Sequence, residues 1–177
     1  MSLKYNISYE VASTIFLIIL LFYIRLQYDT HSRLNQEFQK LTWFGLIATI
    51  LDVITAITIS YASVVPVGVN TILNTVYFMA VAVLGYQLVY YNYLYVYKNT
   101  KTSKIIRFNQ IIIGLYAVFL IFNVFSGISF SFSEDGEYVK GPAYLAVYIS
   151  ATYFILCSSV IVICNLRKFR VWQRISL

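Results

Sequence analysis

Charge is scarce in this chain. Asp, Glu, Lys and Arg together make up 11% of its 177 residues, whereas a soluble domain carries about 25%. Too few charges are present to cover the surface of a water-soluble fold of this size. Two prolines and seven glycines leave out collagen-like and low-complexity organisation. Two cysteines, both in one apolar stretch, exclude a disulfide-rich scaffold and a zinc site built from four cysteines. The single histidine, His31, removes most histidine-centred chemistry. The sequence has no P-loop, GxGxxG fingerprint, HExxH helix or nucleophile elbow. No catalytic constellation, cofactor or metal site is expected, and the chain does not read as an enzyme.

Hydrocarbon is what the sequence has in quantity, with 60% apolar residues and a mean hydropathy of +0.74. Disorder is excluded by the same numbers. A bilayer core about 30 Å thick needs roughly 20 apolar residues in helix. Five segments qualify, at about 11–28, 41–63, 66–97, 105–127 and 142–166. Backbone polar groups cannot stay unpaired in lipid, so such segments read as helices. The expected fold is an all-α membrane protein, a single polytopic domain over 1–177 in the cell membrane. The first span lacks a small-residue cleavage site and reads as a retained helix rather than a secretory signal.

Orientation follows from the basic residues. Arg25, Arg33 and Lys40 link spans one and two, and Lys98, Lys101, Lys104 and Arg107 link spans three and four. Arg167, Lys168, Arg170 and Arg174 follow span five, while the other side has only Lys4 and Lys140. Eleven against two places the N-terminus outside and the C-terminus inside. The net charge of +6 is thus a topology signal rather than a nucleic-acid footprint, with Trp43 and Trp172 as interface anchors.

Two connections stand out. The turn from Ser63 to Gly68 is short, so spans two and three form a tight hairpin. The stretch 129–140 alternates as Ser-Phe-Ser-Phe-Ser, reaches Asp135-Gly136 and returns through Tyr138-Val139. That pattern predicts an outer β-hairpin between helices four and five; a disordered acidic loop is the alternative.

Asp52 sits at the centre of span two, where a carboxylate costs about 2.5–3.5 kcal/mol on insertion scales. Such residues face the bundle interior or water and mark functional sites; the competing reading is an Asp that only locks two helices together. Gly45, Ala48, Asp52, Thr55 and Ala56 form a small-to-polar stripe, and Asn70, Asn74 and Tyr77 form a second one on span three. At 1.5 Å per residue, the short turn sets Asp52 level with Tyr77 and Thr55 level with Asn74. Asn123, Tyr144, Tyr148 and Thr152 add polar groups in the outer parts of spans four and five. The candidate ligand-binding set is Asp52, Thr55, Asn70, Asn74, Tyr77, Asn123, Tyr144 and Tyr148; interhelical polar glue is the bland alternative. Tyr86, Tyr90, Tyr93 and Tyr97 read as packing or interface anchors, and Cys157 and Cys164 as small core residues. Asn6-Ile7-Ser8 matches a glycosylation sequon, a weak three-residue match.

Ile50-Leu51-Asp52-Val53-Ile54-Thr55-Ala56, Ile59-Ser60-Tyr61, the run from Asn70 to Phe78, Ser133-Glu134-Asp135-Gly136-Glu137-Tyr138 and Gly141-Pro142 together resemble the N-terminal membrane region of bacterial sensor proteins. The resemblance spans Tyr5 to Arg170. In that family a multi-span module precedes a cytoplasmic output domain, commonly a GGDEF diguanylate cyclase. The sequence has no GGDEF motif, and the membrane region of the resembling proteins continues beyond Arg174. Gln173 to Leu177 reads as the entry to a further helix, as in a truncated product, an excised module or a standalone homologue.

The expected function is a sensory module that binds a small extracellular ligand and relays a helix rearrangement inward. Its partners are that ligand, membrane lipid, a cytoplasmic signalling partner or C-terminal output domain, and a second copy of the chain in a homodimer; nucleic acid is not among them. The alternative is a small transporter or channel subunit with Asp52 as proton or cation site. A through-path needs polar residues in the inner half, where Gln87, Asn92, Asn109 and Gln110 lie near the interface. A lipid-directed enzyme is a third and weaker reading.

Overall fold

A computed structural model of the chain describes residues 6–27, 32–62, 64–98, 103–133 and 136–166. Its elements run α1 (Ser8–Gln27), α2 (Arg33–Ser60), α3 (Val67–Tyr97), α4 (Lys104–Ser126), β1 (Phe130–Phe132), β2 (Tyr138–Lys140) and α5 (Leu145–Cys164). All five helices are long and apolar enough to cross a membrane. Large side chains such as Phe16, Ile19, Phe22, Phe108, Ile111, Leu115, Leu145, Ile149 and Val160 stand exposed on the outside of the bundle. Apolar patches this extensive are expected against lipid. The chain is a multi-pass membrane protein.

Hydroxyl side chains within the helices are satisfied locally. Thr42, Thr49, Thr55, Thr58, Ser60, Thr71, Thr75 and Ser150 each donate to a carbonyl three or four residues back. That arrangement keeps polar atoms paired without water. At the start of α4 the Ser103 hydroxyl caps the Ile106 amide at 3.3 Å, and Gly127 ends the helix in the left-handed region.

Helix α3 is the hub: α2, α4 and α5 all pack against it, whereas α1 packs on α2. The core between α3, α4 and α5 holds Ala82, Val89, Tyr93, Ile106, Tyr116, Leu120, Phe154 and Ile161. Close approach of α3 and α5 depends on Gly85, where a Cβ would lie 2.9 Å from that of Phe154.

Between α4 and α5, β1 and β2 pair antiparallel with Phe130 opposite Lys140 and Phe132 opposite Tyr138. Two strands alone are marginal in water, and this pair is tied down at its base. Phe130 is fully buried with its ring 5.2 Å from that of Phe78 on α3. Gly136, at φ +78°, sits against Ala62 in the α2–α3 connection, leaving no room for a Cβ.

Several boundaries differ from the sequence reading. Helix α2 begins at Arg33 rather than Leu41, because its polar first turns carry their own contacts: Glu37 accepts from Lys40 and from Gln87 of α3, both at 2.8 Å. It ends at Ser60, three residues early, where Val64 and Val65 turn back onto the Tyr61 carbonyl. Helix α5 starts at Leu145 rather than Pro142 because 142–144 form a turn, with the Tyr144 amide on Gly141 and the Ala143 amide on Ile128. Cys164 is exposed on the helix surface, so the pair of cysteines is not a core pair. The basic tail 167–177, Trp172, Lys4, His31, Ser63, Lys101 and Asp135 lie outside the described residues.

Candidate functional site

Five helices and the hairpin line a half-open cavity of about 440 Å³ at the hairpin end of the bundle. Its size is that of a small-molecule site. Helix α2 contributes Asp52, Thr55, Ala56 and Ile59, α3 contributes Asn74, Tyr77, Phe78 and Val81, and α4 contributes Tyr116. Tyr138 comes from β2, Tyr144 from the turn ahead of α5, and Val147, Tyr148, Ser150 and Ala151 from α5; Asn6, Ile7 and Glu10 close the remaining side at α1.

The cavity brings together six of the eight residues singled out from the sequence: Asp52, Thr55, Asn74, Tyr77, Tyr144 and Tyr148. The Tyr77 hydroxyl lies within hydrogen-bonding reach of the Asp52 carboxyl. The short α2–α3 turn produces this pairing, since it sets both residues at one depth. Tyr144 and Tyr148, one helical turn apart, bring their hydroxyls to 3.3 Å. The Asn74 amide donates to the Asn70 carbonyl at 2.9 Å and so braces α3 while lining the cavity.

The other two residues lie elsewhere. Asn123 is buried at the foot of the hairpin: its Oδ1 accepts from the amides of Ser129 at 2.6 Å and Phe130 at 3.2 Å, and its Nδ2 donates to the Phe130 carbonyl at 3.1 Å. All of these are main-chain contacts that fold the loop. Asn70 is fully buried outside the cavity lining, and neither atom of its side-chain amide finds a partner among the described residues. Thr152 is exposed on the surface of α5.

Sequence reasoning missed Glu10, Tyr116 and Tyr138. Glu10 lies one residue before the expected start of span one at 11. The helix begins at Ser8, so Glu10 is inside its first turn. It shares the α1 stripe of Thr14, Leu17 and Ile24 that turns inward, and the spacing of four, three and seven was the available signal. It lines the cavity with Asp52, and its Oε2 is buried without a hydrogen-bond partner among the described residues. The Tyr116 hydroxyl is likewise buried without a formed hydrogen bond, near a Ser150 hydroxyl that donates to the Val147 carbonyl. Among the described residues, no Lys, Arg or His lines the cavity.

A second, apolar cavity of about 620 Å³ continues along α3 toward the opposite end, between the α1–α2 pair and α5. Leu17, Leu20, Leu41, Leu84, Leu88 and Ile155 line it. Asp52, Tyr77, Val81 and Ala151 line both cavities, so the Asp52–Tyr77 pair stands at the passage between a polar and an apolar compartment.

The far end of the bundle is more polar than the sequence implied. Glu37 is buried and bridges to Gln87, Asn92 donates to Ser158, and Asn165 donates to Tyr97 at 3.1 Å. Gln110 donates to Tyr86 at 3.1 Å and Arg33 to Tyr90 at 3.0 Å. Three members of the tyrosine stripe thus hold neighbouring helices through their hydroxyls. Among the described residues, no group of acidic, histidine and cysteine side chains is placed to hold a metal ion.

Comparison with known proteins finds no matching family model, no similar curated protein and no similar solved structure.

Proposed function

We propose that this chain is a membrane-embedded sensory module. Its ligand is a small extracellular molecule bound in the cavity under the hairpin, and its output is a rearrangement of α3 and α5 passed to a cytoplasmic signalling partner. The carrying observation is the convergence of Asp52, Tyr77, Asn74, Tyr144 and Tyr148, from three parts of the sequence, on one cavity of small-molecule size. The proposed orientation puts the hairpin end outside: of the seven basic residues in the described segments, Arg25, Arg33, Lys40, Lys98, Lys104 and Arg107 lie toward the other end and Lys140 alone toward this one. Likeness to the membrane regions of GGDEF-associated sensors supports the same reading. A ligand shifts a helix equilibrium only by its differential affinity for the two arrangements, and a cavity walled by α3 and α5 meets that requirement, because its shape changes when they move.

A thermal-shift screen of the purified chain against amino acids, peptides, sugars and nucleobases tests this reading, with Asp52→Asn alongside. The expected result is a compound that stabilises the wild type and not the variant, since binding to the folded state raises its apparent stability. If no compound does so in any concentration range, the sensory reading fails.

One observation favours a second reading, a small transporter or channel subunit. Asp52 faces both cavities, and the polar pair Glu37–Gln87 lies further along α2 and α3. Uptake of a cation or of protons into liposomes, lost in Asp52→Asn, would place transport ahead of sensing.

A further inference from the structure

The lining of the hairpin-end cavity is lopsided in charge. Glu10 and Asp52 bring two carboxyl groups to one 440 Å³ space, and among the described residues no basic side chain answers them there. Five tyrosines, Tyr77, Tyr116, Tyr138, Tyr144 and Tyr148, make up much of the remaining wall. Carboxylates flanked by aromatic faces are the combination that attracts organic ammonium ions, through Coulomb attraction and through the negative face of each ring. An anion would meet two carboxyl groups and no basic side chain among the described residues, whereas an ammonium ion gives both carboxyl groups a hydrogen-bonding counter-ion.

Two further observations point to a ligand. The Tyr116 hydroxyl belongs to a residue only 8% exposed, lines the cavity and forms no hydrogen bond among the described residues. One ring of that aromatic wall already carries an ammonium: the Nζ of Lys140, which is not among the lining residues, rests 4.9 Å from the centroid of the Tyr144 ring. The wall therefore accepts this chemistry within the folded chain.

Resting on the sensory reading above, we propose that the ligand is an organic ammonium ion with an apolar chain. Its charged head sits between Glu10 and Asp52 against the tyrosines, and its chain passes Asp52 and Tyr77 into the 620 Å³ apolar cavity. The shared boundary of the two compartments gives the ligand its amphiphilic form. A purely polar ammonium would leave the second compartment unused, whereas an alkyl chain gains the transfer of each methylene out of water.

The experiment uses the full chain in a neutral detergent and measures its thermal midpoint against hexylammonium chloride, 1-hexanol, sodium hexanoate and sodium chloride at matched ionic strength. Hexylammonium is expected to raise the midpoint saturably and the other three are not. Affinity should tighten roughly threefold to fourfold per added methylene from butyl to hexyl. Glu10→Gln and Asp52→Asn should each weaken hexylammonium about tenfold, as expected for one charge-assisted contact. Should either carboxyl variant fail to fold, Tyr148→Leu serves instead: it removes one aromatic face of the cavity and should lower ammonium affinity, read as the hexylammonium shift from the variant's own ligand-free midpoint.

No shift with hexylammonium overturns the inference, as does an equal shift with hexanol. Stabilisation by sodium equal to that by hexylammonium overturns it in favour of an inorganic-cation site. An Asp52-dependent response to hexanoate, or to an uncharged compound in the broader screen, overturns the ammonium class while the sensory reading stands.

Discussion

At the scale of single residues, Asn123 and Asn70 look alike in sequence, two asparagines near the hairpin-side ends of apolar helices, and the structure gives them opposite energetics. Asn123 satisfies the amides of Ser129 and Phe130 and one carbonyl, in a place where both loop residues are fully buried and water cannot substitute. Asn123→Leu should therefore cost about 3 kcal/mol, the penalty of orphaning buried donors. Asn123→Asp, which keeps both acceptor contacts, should cost less. Asn70 makes no side-chain hydrogen bond among the described residues, so Asn70→Leu should be neutral or stabilising, because it removes a desolvated amide of similar volume. Unfolding of the two leucine variants in detergent, side by side, checks the contrast; a large loss in Asn70→Leu would mean that this amide has a partner after all. The sequence reading sets Asn70 on the polar stripe of span three and Asn123 in the outer portion of span four. That reading assigned Asn123 to ligand binding, whereas its partners are main-chain atoms of a loop that has no helical period to count.

At the scale of elements, the α2 and α3 stripes were legible because helical spacing selects a face and a short turn fixes relative depth. Glu10 and Glu37 were not, since both lie where an apolar run stops and window-based reading ends the span, although the helices themselves begin earlier. Glycine was legible only in part: the small-to-polar stripe marks Gly45 and nothing in the sequence singles out Gly85, yet Gly85 has the tighter surroundings. A Cβ at Gly45 would meet Leu17 at 3.6 Å, an ordinary contact, whereas at Gly85 it would meet the Phe154 Cβ at 2.9 Å. Gly45→Ala should leave stability unchanged or raise it by up to about 1 kcal/mol through helix propensity. Gly85→Ala should lose about 1–3 kcal/mol through overpacking of α3 on α5, and Phe154→Leu should recover part of that loss in the double variant. Thermal midpoints of the four proteins decide the matter: additive effects of Gly85→Ala and Phe154→Leu would show that the two helices do not meet there.

At the scale of the whole molecule, the proposed ligand and the proposed relay would fall on one helix. Helix α3 lines both cavities and packs against α2, α4 and α5, so a molecule seated beside Tyr77 acts directly on the element that also carries Gln87, Asn92 and Tyr97 toward the opposite end. The sense of that relay depends on which side of the membrane the hairpin occupies. The charge imbalance predicts that it lies outside, and the prediction can be checked without knowing any ligand. In a background of Cys157→Ser and Cys164→Ser, Val139→Cys presents a thiol on the exposed face of β2, and Lys104→Cys presents one at the exposed start of α4. A membrane-impermeant maleimide applied to intact cells should label the first and reach the second only after permeabilisation. Both serines replace small residues, and neither added cysteine touches the cavity lining, so the labelling reports sidedness rather than loss of the fold. The reverse pattern would turn the cavity toward the cytoplasm, and a receptor for extracellular molecules could not work that way round. Labelling of Val139→Cys alone in intact cells would put Glu10, Asp52 and the tyrosine wall within reach of solutes from outside, as sensing requires.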